Sequence, residues 1–71
     1  MEIVNFFEDT SRWNEIKLEE VERFSYGVPG DISSGIFTTI HLKGGEEIVF
    51  VEVPVSIFFR FQEEWEALKR G

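Results

Sequence analysis

The chain has 71 residues, 14 acids against 7 Lys and Arg for a formal charge of −7, eight Phe, two Trp, one Tyr, one His and no Cys. These counts exclude disulfides and thiolate zinc sites, and with a single His no metal site or other cofactor is expected. The acidic balance speaks against direct binding to nucleic acid or to an anionic membrane, both of which want a basic surface.

A chain of this length is expected to form one domain over residues 1–71. Folding at this size buries only about 60% of the unfolded surface. Eleven aromatic residues, each burying roughly 150–250 Å², make an adequate core. The N-terminus, MEIVNFFED, lacks the basic region of a signal peptide, and no apolar run approaches the ~20 residues that cross a bilayer. A cytoplasmic location is the simplest expectation.

Residues 2–7, EIVNFF, read as a strand, and Asp9-Thr10-Ser11 as a turn or a helix N-cap. The following stretch, WNEIKLEEVERFSYG, supports two readings. Trp13, Ile16, Val21 and Phe24 share one helical face, with Gly27 placed to end a helix. Ile16 and Leu18, then Val21, Phe24 and Tyr26, also suit two short strands around Glu19-Glu20, and this reading is slightly favoured. Residues 27–35, GVPGDISSG, form a loop.

The stretch TTIHLKGGEEIVFVEV at 38–53 predicts a hairpin. A two-residue turn at Gly44-Gly45 would need φ > 0 at both glycines and would pair Lys43 with Glu46. One face then carries Ile36, Thr38, Ile40 and Leu42 opposite Val53, Val51, Val49 and Glu47. The other carries Phe37, Thr39 and His41 opposite Glu52, Phe50 and Ile48. A three-residue loop would shift the register by one and exchange the second strand's faces. Both faces stay partly apolar in either case, because IVFVEV does not alternate cleanly.

Pro54 ends the second strand and suits the start of a helix, predicted over residues 56–69 with Ser56 as N-cap. Phe58, Phe61, Trp65 and Leu68 form its core stripe, joined by Ile57, with Phe59 on the flank. Lys69, Arg70 and Gly71 close the helix in dipole-favoured order.

The order EIKLEEVERF, loop, TTIHLKGGEEIVFVEV and C-terminal helix resembles small bacterial proteins, among them the FlbD-type flagellar accessory family, over roughly residues 15–60. The resemblance is one of binary pattern. It implies the strand reading and carries over no functional residue.

Catalytic candidates are few. His41 has only Glu46 within diagonal reach as an orienting acid. Ser33 and Ser34 lie outside any G-x-S-x-G elbow, and GVPGDISSG lacks the lysine of a phosphate loop. The paired glutamates lack calcium-loop spacing. No catalytic residue is assigned, and an enzyme is not expected.

The predicted fold is α+β: a small antiparallel sheet of about four strands with a C-terminal helix on one face. Two apolar sheet faces need two covers, and one helix supplies one. Phe37, Ile48, Phe50 and Phe59 are therefore the expected protein-binding residues. The expected function is a small acidic accessory or regulatory module that binds another protein or a second copy of itself. The alternative is an acidic inhibitor that mimics nucleic acid in a basic groove.

Overall fold

A computed structural model describes residues 1–27 and 35–71. The elements are β1 (Glu2–Asn5), α1 (Thr10–Asn14), a 3₁₀ turn (Leu18–Glu20), β2 (Val21–Gly27), β3 (Ile36–Leu42), β4 (Glu47–Val53) and α2 (Val55–Arg70). The expected loop, with Ser33 and Ser34, lies almost wholly outside the described residues.

The α+β architecture follows the sequence reading, with one difference in the sheet. Strand order is β1-β4-β3-β2. β2, β3 and β4 form an antiparallel meander, whereas β1 pairs with β4 in parallel. The sheet is thus mixed, because the β1–β2 connection crosses from one edge of the sheet to the other. Residues 10–26 divide between both sequence readings: a one-turn helix first, then a 3₁₀ turn where Ile16–Leu18 had suggested a strand, then the expected strand.

Local chemistry explains the crossing. Asn5 Oδ1 accepts from the Phe7 and Glu8 amides at 2.9 and 3.2 Å, turning the chain off β1. Asp9 then caps α1, its side chain accepting from the Arg12 amide at 3.2 Å. α1 places Trp13 on the sheet's covered face, with ring centroids 5.0 Å from Phe50 and 5.3 Å from Phe61 of α2. Edge-to-face contacts continue through Phe24 to Phe61 and Trp65.

α2 begins at Val55, one residue before the expected start, with Pro54 rather than Ser56 at its N-cap. The Phe58 amide donates to the Pro54 carbonyl at 2.9 Å. Phe58 and Phe61 are buried and Trp65 half-buried, as the stripe predicts, whereas Leu68 is half exposed. The Trp65 indole N–H donates to the Val21 carbonyl at 3.1 Å and fastens the helix to β2.

The hairpin takes the three-residue loop. The Leu42 amide donates to the Glu46 carbonyl, leaving Lys43–Gly45 as the loop, and only Gly45 has positive φ, at 92°. The register inside the hairpin is therefore Thr38↔Phe50, Thr39↔Val49, Ile40↔Ile48 and His41↔Glu47. Ile48 and Phe50 sit beside Ile40 and Thr38, all four fully buried.

A second irregularity restores the pairing at the far end. Glu52 adopts φ 60° in a bulge between the Thr38↔Phe50 and Ile36↔Val53 pairs. Two β4 residues, Val51 and Glu52, thus oppose Phe37 alone. The extra residue returns Val53 to the core beside Ile36.

Candidate protein-binding surface

α1 and α2 both pack on one side of the sheet, so its other side is open among the described residues. Backbone pairing arranges this side in rows. Ile3, Val49, Thr39 and Ser25 form the central row. Asn5, Val51, Phe37 and Gly27 form the row toward the bulge. Glu47, His41 and Arg23 form the row toward the hairpin loop.

Ile3 and Phe37 are 67% and 46% exposed, and Val49 and Val51 between them are half-buried. Two alternate rows across four strands spaced about 4.8 Å apart give a patch on the order of 300 Å². Four of the eight positions in those rows, Ile3, Val49, Val51 and Phe37, carry apolar side chains, so the apolar part is smaller than the roughly 300–600 Å² of the largest patch on a typical monomer.

The expected site residues separate. Phe37 lies on the open face. Phe59 is 53% exposed but belongs to α2, on the covered side, where its ring lies 5.9 Å from that of Phe58. Ile48 and Phe50 are core residues, 0% exposed, and do not belong to any surface. The one-residue slip put Val49 and Val51 in their place. The signal for this was present in IVFVEV, where exchanging the faces leaves valines outside.

The slip also changes the neighbour of His41. Its Nδ1 lies 3.6 Å from Glu47 Oε2, with Arg23 opposite it on β2. At the other corner Asn5 Nδ2 donates to Glu52 Oε2 at 2.9 Å, tying β1 to the bulge. Polar pairs thus flank Ile3, Val49, Val51 and Phe37 on this face.

Charge elsewhere is partly structural. Arg12 lies 3.0 Å from Glu2, 3.3 Å from Glu46 and 3.6 Å from Glu15, joining α1 to β1 and to the residue that follows the hairpin loop. The Arg12 hydrogen bonds hold the Glu2 carboxyl below the ordinary carboxylate range, and the same contact raises Arg12. A lowered carboxyl pKa stabilises the fold above the ordinary value, and this contribution is lost as pH falls through the lowered one. Glu2→Gln should therefore melt below wild type near neutrality, with the gap closing as pH falls below about 4. Thermal melts followed by circular dichroism across that range test this; a gap constant with pH would contradict it.

Among the described residues no three His, Asp or Glu side chains gather as a metal site. No described helix is long and apolar enough to cross a membrane.

No protein-family model matches the chain, and no match is found among curated proteins or solved structures.

Proposed function

We propose that this protein is a non-catalytic interaction module of the cytoplasm, which docks another protein on the open face of its sheet. The observation that carries the reading is the cluster of Ile3, Val49, Val51 and Phe37, from two adjacent rows, on a face that no described element covers.

A different protein fits this face better than a second copy. The patch is far below the roughly 2,000 Å² or more in total that an obligate homodimer buries, whereas weak, transient contacts between different proteins lie at the low end of interface size. Two chains of charge −7 also repel one another. A nucleic-acid mimic fits less well, because Arg12 stands among Glu2, Glu15 and Glu46 and interrupts the acidic surface with a cation.

Phe37→Glu is the test. The substitution should leave the circular dichroism melt close to wild type, since the ring is already 46% exposed. It should reduce recovery of the partner captured by the wild-type chain about tenfold or more, by placing a carboxylate in the interface. Glu63→Gln, on exposed α2 surface, should retain that partner. Docking of this kind changes little with added salt, whereas mimicry weakens steeply. Equal capture by wild type and Phe37→Glu would overturn the proposal, as would light scattering that shows a wild-type dimer which Phe37→Glu dissociates.

A further inference from the structure

The β2 edge of the sheet carries a second feature, separate from the open face. Along an antiparallel strand, successive residues direct their backbone groups alternately to one neighbour and the other. The Leu42 amide donates to Glu46, so Leu42, Ile40 and Thr38 bond toward β4, and His41, Thr39 and Phe37 bond toward β2. Their β2 partners, Arg23, Ser25 and Gly27, therefore use their N–H and C=O groups within the sheet. Phe24 and Tyr26 point theirs outward from the edge strand, and no described residue meets them.

Sheet edges are ordinarily shortened, charged, bulged or covered, because bare edges pair with other chains. β1 is four residues long, and Arg12 ties α1 to its Glu2. β2 is bulged and charged only near its start, at Glu22 and Arg23. From Phe24 to Gly27 it carries no charge, proline or bulge.

α2 turns this edge into a groove. Ring centroids lie 4.8 Å apart for Tyr26 and Phe58 and 5.1 Å apart for Phe24 and Trp65, and the Trp65 indole bonds Val21. The helix thus follows β2 from its end to its start. Ile57, Arg60 and Glu64 turn toward α1. At about 3.6 residues per turn, Val55, Phe59, Gln62 and Glu66 then lie on the opposite flank, toward the β2 edge. Tyr26 and Phe59, 57% and 53% exposed, stand on either side of the buried Phe58. At the Val21 end Glu22 and Glu66 are exposed, Arg23 is on the open face, and Lys69 is held over the Trp65 ring at 4.6 Å.

We propose that this edge takes an extended segment of another protein as a fifth strand, apolar at alternate residues and basic near Val21. Only an extended backbone matches the donors and acceptors of Phe24 and Tyr26 together. Residues opposite these two fall on the α2 side, where apolar side chains lie against Tyr26 and Phe59; the residue between them faces away and is polar. Glu22, Glu66 and the net charge of −7 select a cationic segment over a second copy of the chain.

The probe is a short acetylated, amidated peptide of alternating valine and threonine with a lysine at each end. In the free chain the Ser25 amide should exchange slowly with solvent, and the Phe24 and Tyr26 amides fast. In NMR titrations the probe should shift the Phe24 and Tyr26 amides saturably and slow their exchange. Binding should weaken about tenfold or more when the valines are N-methylated, when the lysines are replaced by glutamates, and in Phe59→Ser. A circular dichroism melt checks that Phe59→Ser remains folded. Phe37→Glu should bind the probe as wild type does, which separates this edge from the open face. Absence of a saturable shift up to the solubility of the peptide would overturn the proposal. Equal binding of the N-methylated peptide would do so too, since main-chain pairing would then play no part. Slow exchange of Phe24 and Tyr26 without peptide, together with a dimer in light scattering, would overturn it in favour of a second copy.

Discussion

Phe50→Ala should lower the stability by about 3–5 kcal/mol, the range for removing a buried phenylalanine ring. The whole stability of a chain of this length is on the order of 4–10 kcal/mol, so a large fraction of the variant should be unfolded on mild heating. Phe50 is 0% exposed and pairs with Thr38 on β3 and Val4 on β1, with the Trp13 ring 5.0 Å above it. It lies where both halves of the covered layer meet, and a cavity there has no single neighbour able to fill it. Val51→Thr, one residue along and on the open face, should change stability by about 1 kcal/mol or less. Urea denaturation followed by circular dichroism measures both. Similar losses for the two variants would mean that the β3–β4 register is wrong, and with it the open face.

Gly35→Ala should be the second severe change, at about 2–5 kcal/mol, although it adds a single methyl group. Gly35 has φ 85°, a conformation that costs an L-residue about 1–2 kcal/mol. An added Cβ would also stand 2.7 Å from the Glu52 carbonyl carbon and 2.9 Å from its Cα. These are backbone atoms, which no side-chain rotation can move away, and overpacking of this kind costs about 1–3 kcal/mol. Glu52 is itself at φ 60° in the β4 bulge, so the clash falls on the residue that returns Val53 to the core. Gly44→Ala has nothing within 4 Å of its added Cβ and no positive φ, and it serves as the mild control. If Gly35→Ala melts within a few degrees of wild type, the approach of Gly35 to the bulge is not a structural constraint.

The elements were legible in the sequence to different degrees, for physical reasons. Apolar residues at helical spacing placed α2 within one residue of its observed start, because a 16-residue amphipathic helix states its face several times over. β3 was equally plain, since Ile36, Thr38 and Ile40 alternate with Phe37 and Thr39 and are buried as a set. α1 was hardly visible. It has five residues, too short to show a period, and is held by the Asp9 cap and by Trp13 against Phe50 and Phe61. The parallel pairing of β1 depends on contacts 46 residues apart, from Glu2 to Ile48, and no local pattern records it.

By itself, the sequence determined that one hairpin would carry apolar residues on both faces, because IVFVEV lacks alternation under any register. Only the tertiary structure decided which residues those were. Gly44-Gly45 is compatible with a two-residue or a three-residue loop, and the local difference between them is small. Side chains alternate with period two, so one residue of slip moves the whole of β4 from one face to the other. Packing settles the choice. Ile48 and Phe50 fill the space beneath Trp13, Phe58 and Phe61 better than valines would, and Val49 and Val51 are left on the open side. The Glu52 bulge then lets Val53 rejoin the core without moving the hairpin, supported by Gly35 from a distant part of the chain. A turn chooses among registers by a small margin, whereas two buried side chains choose by several kcal/mol.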